Sequence, residues 1–144
     1  MEMPAEVVDH LSEDESWELL NATEVGRLAV NIAGHPDIFP INYIVDGDQL
    51  VFRTAPGTKL AGAVLGRYVA FEIDGYMPER REAWSVIVKG SATEIDGMQE
   101  RFDAEDLPLF SWIASPKPNF VRITPSAITG RRYHLEDRSE PDLS

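Results

Sequence analysis

Cysteine is missing from the 144 residues. That absence removes disulfide frameworks, thiolate nucleophiles and cysteine metal sites together. Basic residues are scarce: 13 Lys and Arg stand against 25 Asp and Glu, a formal charge of -12. A surface so acidic repels phosphodiester backbones, so no nucleic-acid partner is expected. No apolar run approaches the roughly 20 residues that cross a bilayer, so no membrane partner is expected either. The first residues, MEMPAEVVDH, carry acids where a signal peptide has basic residues, which points to the cytoplasm. Three histidines, His10, His35 and His134, are spread without ligand spacing, so no metal is expected. Any redox chemistry would then need a bound cofactor.

What is present suits one globular unit. Hydrophobic residues make up 43% and charged residues 26% of the chain, ordinary globular usage. A chain of this length buries roughly 70% of the surface its unfolded form exposes. A single domain over residues 1–134 is expected, followed by a mobile tail, 135–144, ending SEPDLS. The charge is uneven: residues 1–24 hold eight acids and no Lys or Arg, whereas residues 53–90 hold six Lys or Arg against four acids.

The stretch LSEDESWELLNAT predicts a helix begun by a capping box, Ser12 with Glu15 three residues on, and acids in the first turn suit the helix dipole. Beyond Gly26 the period changes to that of strands. Residues 27–32 and 38–45 read as strands around a Gly34-His35-Pro36 turn, and Pro40 marks an edge, a strand start or a bulge. Asp46-Gly47-Asp48 supplies hairpin chemistry before a returning strand, 49–54. A short helix is expected over 59–65, and strands over 68–74 and 83–95 with a charged loop, 78–82, between them. One or two short helices follow within 97–114, then strands 120–123 and 127–133, separated by Thr124-Pro125-Ser126. The fold class is mainly β: six or seven short strands joined by tight turns, an antiparallel barrel with a few short helices.

One motif carries chemistry. RTAPGTKLAG, residues 53–62, places Arg53, Thr54 and Lys59 around a Pro-Gly turn at the end of a strand. The spacing is not that of the phosphate loop GxxxxGK[ST], since Thr58 separates Gly57 from Lys59 and there is one glycine. A strand end, a turn and a helix start with nearby cations nevertheless suit a small anion. The alternative is a surface turn with incidental cations.

The flanking segments decide between the two. GRLAVNIAGHPDIFPINYIVDGDQLVFRTAPGTKLAGAVLGRYVAFEID, residues 26–74, followed by AWSVIVKGSATEI, residues 83–95, resembles the pyridoxamine 5'-phosphate oxidase-like family of FMN-binding split barrels. The likeness is greatest to its nitroimidazole-resistance-protein branch, and it spans about residues 11–133. The shared features, in order, are a Gly-Arg-Leu strand, a Pro-x-Asn-Tyr strand, an Asp-Gly turn, a strand ending before Ala-x-Gly-x-Lys, and a Trp-Ser-Val strand leading to a Gly.

The resemblance implies an antiparallel split barrel that forms a homodimer with FMN at the interface. FAD or a deazaflavin coenzyme is the alternative cofactor, although the shortage of surplus basic charge favours FMN over the longer anionic deazaflavin tail. By position, Pro40, Ile41, Asn42 and Tyr43 would run beside the isoalloxazine, and Phe52, Arg53 and Thr54 would continue the wall. Lys59 would reach the phosphate, and Trp84 and Ser85 would approach the flavin from a later strand. Plain alternatives stand beside these roles: Tyr43 as strand core, Asn42 bonding the Pro40 backbone, Trp84 as core or dimer contact, Arg131 and Arg132 as solvated strand arginines. Trp84, Val86 and Val88 are also expected to form an outer apolar patch that a second subunit covers. The implied activity is a flavin-dependent oxidoreductase with a small-molecule electron donor and acceptor, and the competing reading is a non-catalytic flavin module. Loops 75–82 and 107–118 are expected to choose the substrate. No catalytic side chain is identified.

Overall fold

A computed structural model of the chain describes residues 8–55, 57–95, 103–105 and 119–135. The elements run β1 (Val8–Leu11), α1 (Glu13–Ala22), β2 (Val25–Ile32), β3 (His35–Asn42), β4 (Ile44–Asp46), β5 (Gln49–Thr54), α2 (Lys59–Val64), β6 (Arg67–Met77), a 3-10 turn (Pro78–Arg80), β7 (Glu82–Glu94) and β8 (Asn119–His134). The strands form one curled sheet in the order β3-β2-β6-β7-β8-β5-β4, with β1 added on β8. Neighbours are antiparallel throughout. The sheet is a mainly β half-barrel, consistent with the antiparallel split barrel expected from the sequence.

The inner face follows from strand alternation. Leu28, Phe71, Ile73, Val86, Val88, Leu50, Phe52, Val121 and Ile123 are all fully buried, and each such side chain contributes about 1.5–3 kcal/mol of burial. Leu20 of α1 joins this core, with Trp17 and Leu19 packed against it. A smaller cluster, Val51, Ile95, Ala104 and Phe120, lies beside Ile44.

Several boundaries differ from expectation, each for a local reason. The first hairpin turns at Ala33 and Gly34, both at positive φ (50° and 83°), so His35 already pairs with Ile32. Two positive-φ residues match the twist of a tight hairpin better than a turn through Pro36. The strand expected over 38–45 is interrupted at Tyr43, whose N-H donates to the Glu24 carbonyl at 3.1 Å. β3, with Pro36 and Pro40, lies at an edge of the sheet, as proline requires. The expected loop 75–82 is mostly strand, because β6 and β7 pair as far as Met77 with Glu82.

β8 runs unbroken through Pro125. Gly90 pairs with Pro125 and Lys89 with Ala127, so Ser126 bulges out of register. Its hydroxyl donates to the Lys89 carbonyl at 3.1 Å. Gly90 admits this bulge: a Cβ there would lie 2.2 Å from the Thr124 carbonyl oxygen. Of the helices expected within 97–114, only the helical residues 103–105 are described, and the expected tail lies almost wholly outside the described residues.

The outer patch expected from Trp84, Val86 and Val88 does not exist. Val86 and Val88 are 0% exposed inside the chain's own core, and Trp84 is half-buried against it. Alternation puts Ser85, Ile87 and Lys89 on the outer face instead, opposite Asp74, Glu72 and Ala70 of β6.

Candidate functional site

The RTAPGTKLAG motif begins inside β5, and the period of a strand divides it. Phe52 and Thr54 point to the core, while Arg53 turns to the other face and stacks its guanidinium 4.8 Å above the Phe120 ring. Thr54 is 2% exposed, and among the described residues its hydroxyl oxygen is buried without a hydrogen-bond partner. A hydroxyl so placed costs about 1–3 kcal/mol, which a ligand or water oxygen in reach would relieve.

Past the turn, Thr58 caps α2: its Oγ1 accepts the Ala61 N-H at 3.1 Å and donates to the Ala55 carbonyl at 2.8 Å. Lys59 opens the helix with a side chain 71% exposed, and its Nζ lies 2.8 Å from Asp37 Oδ2 on the edge strand β3. The second Asp37 oxygen, Oδ1, accepts the Ile38 N-H at 2.9 Å. Lys59 first, and then this amide, hold the Asp37 carboxyl below its ordinary range.

The Pro40–Tyr43 segment is divided in the same way. Pro40 is exposed and Asn42 half-buried, whereas Ile41 and Tyr43 are 7% and 4% exposed. Tyr43 donates its hydroxyl to the Leu20 carbonyl at 2.6 Å and meets Phe71 edge-on with ring centroids 4.7 Å apart. Burial pushes the Tyr43 hydroxyl up. With Phe52 fully buried and Tyr43 nearly so, these two positions offer a ligand backbone rather than side chain.

Trp84 pairs with Gly75, where a Cβ would stand 2.6 Å from the indole ring. Ser85 is half-buried and sits between Asp74 and Arg131 in register. Arg132 Nε lies 3.9 Å from Glu82. The Lys59 and Thr54 pole and the Trp84 and Ser85 pole are at opposite ends of the sheet, since Thr54 pairs with Asn119 at the start of β8 and Trp84 with Arg132 near its end.

Two features had no counterpart in the sequence reading. One is Asp37 as the partner of Lys59. The other is an acid pair on the outer face: Arg27 Nη2 bonds Asp74 Oδ2 at 2.6 Å, and its Nε stands 3.5 Å from Glu72 Oε1. Burial first, then hydrogen bonding and repulsion from Asp74, push the Glu72 carboxyl up to about 7, against the pull of Arg27. Acids two residues apart on a strand share a face, which was a readable signal; their arginine comes from another strand.

Among the described residues no group of His, Asp and Glu is arranged to hold a metal ion, and no helix is long and apolar enough to cross a membrane. What the β5 exit offers is an ammonium group and an unmet buried hydroxyl, donors suited to an anionic oxygen.

This curled antiparallel sheet is the architecture of a known family. Residues 12–132 match the model of the pyridoxamine 5'-phosphate oxidase family, and the chain belongs to that family. An uncharacterized protein of Mycobacterium tuberculosis is 34% identical over 139 residues, covering 93% of this chain and 90% of that protein. A solved structure from Corynebacterium glutamicum superposes with a TM-score of 0.81 at 38% identity, covering 96% of this chain and 99% of that one. The FAD binding protein from Mycobacterium smegmatis superposes with a TM-score of 0.77 at 36% identity, covering 88% of this chain and 98% of that one.

Proposed function

We propose that the chain binds a flavin nucleotide, with the phosphate at the exit of β5 on Lys59 Nζ and the Thr54 hydroxyl. The observation that carries this reading is the buried, partnerless Thr54 oxygen five residues before an exposed lysine. FMN and FAD both carry a phosphate at the end of the ribityl chain, so both fit these donors. The FAD-binding relative from M. smegmatis supports FAD as strongly as the family resemblance supports FMN. Bound flavin supplies hydride and electron transfer, and the activity proposed is oxidoreduction between a small-molecule donor and acceptor.

The chain's own residues bind and orient. Lys59 neutralises phosphate charge, Thr54 gains the partner it lacks, and exposed Pro40 and half-buried Asn42 present the outer side of β3. The reading includes a homodimer, for which Ile38, Tyr68 and Tyr76, each more than 60% exposed, are side chains for a second copy to cover.

Titration of FMN and riboflavin by fluorescence quenching tests the phosphate site. Lys59→Ala is expected to weaken FMN by about 1.5–3 kcal/mol, roughly 10- to 150-fold, and riboflavin, which lacks the phosphate, hardly at all. Thr54→Val is expected to weaken FMN while leaving the ligand-free fold as stable or more so, because it removes an unmet hydroxyl at constant shape. Equal losses for the two flavins would overturn the assignment.

A further inference from the structure

Asp37 already pairs with the ammonium that a phosphate at this site would need. Its Oδ1 is fixed by the Ile38 amide at 2.9 Å and its Oδ2 lies 2.8 Å from Lys59 Nζ, so this carboxylate is held on the ammonium by the backbone of its own strand. A phosphate that approaches Lys59 meets a seat already taken by an anion. We propose that Asp37 is an internal competitor for Lys59, which lowers the affinity of every phosphate-bearing ligand and leaves phosphate-free ones untouched. The inference rests on Lys59 being a phosphate ligand.

Two effects act together, and both have the same sign. Lys59 must leave Asp37 or divide its donors between two anions. Asp37 also stays within a few ångströms of the incoming group, which carries roughly -1.5 to -2 at neutral pH, and like charges so close repel even through water. Opposing them is the order that Asp37 imposes on a flexible side chain. For a lysine 71% exposed that gain is small, since exposed ion pairs contribute little. Leaving that pair costs little for the same reason, so the repulsion between Asp37 and the phosphate decides the sign. The same contact ties the first turn of α2 to the edge strand, so an arriving phosphate also releases a clip between those elements.

The experiment uses the full chain, with FMN and riboflavin as probes, on wild type, Asp37→Asn, Asp37→Ser and Lys59→Ala. Asp37→Asn and Asp37→Ser are expected to tighten FMN on the order of 3- to 10-fold at low salt, as removal of one nearby like charge predicts, with riboflavin unchanged. The gain should shrink as added salt screens the charges. If Lys59→Ala weakens FMN selectively but both Asp37 variants bind FMN as wild type does or more weakly, Asp37 is no competitor and the inference fails alone. If Lys59→Ala weakens FMN and riboflavin equally, the phosphate site fails and takes the inference with it.

Discussion

Tyr43 donates 2.6 Å to the Leu20 carbonyl, in the last turn of α1, where carbonyls have no partner within the helix. That helix ends without a basic residue in its last turn. Side chains do the work instead: Thr23 Oγ1 donates to the Leu19 carbonyl at 2.8 Å and Tyr43 serves Leu20. Tyr43→Phe keeps the ring on Phe71 and removes only the hydroxyl. It is expected to cost about 1–2 kcal/mol, a fall in Tm of roughly 2–8 °C for a chain this size, with FMN and riboflavin affinities unchanged. A loss of flavin affinity without a fall in Tm would return Tyr43 to the ligand. Arg53 calls for the same separation. Its stacking on Phe120 gives it a packing role on the face of β5 away from Thr54, so strand alternation rather than chain proximity decides which of the three motif residues share a ligand.

Among the elements, α1 is the one whose start the sequence states outright. Ser12 Oγ accepts the Glu15 N-H at 3.1 Å, and Glu15 returns the bond to the Ser12 N-H at 3.1 Å. Ser12→Ala is expected to cost about 1 kcal/mol, seen as lower helix content and Tm, and a stability equal to wild type would show that packing of Leu20 alone holds the helix. β5 was equally legible, since Gln49–Thr54 carries the short apolar run Leu50-Val51-Phe52 and is bounded by turn residues on both sides. Where strands were misread, the deciding partner lay far along the chain. Pro125 looks like a break, but Gly90 on β7 makes room for the bulge that carries β8 past it. Tyr43 looks like mid-strand, but its amide is taken by Glu24. The site divides in the same manner. Thr54 and Lys59 are five residues apart in sequence and could be named from it, whereas Asp37 meets Lys59 only through the fold, from edge strand β3.

At the scale of the whole molecule, a chain of formal charge -12 repels itself, and most of its carboxylates gain from staying ionised only where a cation or an amide meets them. Asp37 and Glu15 are of that kind: their folded carboxyls lie below the ordinary range, through Lys59 and through Ser12 respectively, so what they contribute is present above the unfolded value and lost as pH falls. Glu72 runs the other way. Its carboxyl is raised from 4.5 to about 7, chiefly by burial and then by Asp74, so the folded chain holds this proton more tightly than the unfolded one. The contribution of Glu72 is fully present below about 4.5, declines as pH rises, and is gone above about 7. Glu72→Gln removes the titration and keeps the shape. The difference in stability between the variant and wild type is therefore expected to grow in favour of the variant from pH 5 to pH 8, by about 1 kcal/mol once solvent screening of a part-exposed carboxylate is allowed for. Asp74→Asn, which removes the repelling neighbour, should move the midpoint of that change to lower pH. Comparing thermal unfolding of wild type and Glu72→Gln across this range isolates Glu72, because the two proteins share every other carboxylate. Parallel stability curves for wild type and Glu72→Gln would show that the carboxyl is ionised throughout, and that Arg27, 3.5 Å away, outweighs both the burial and Asp74.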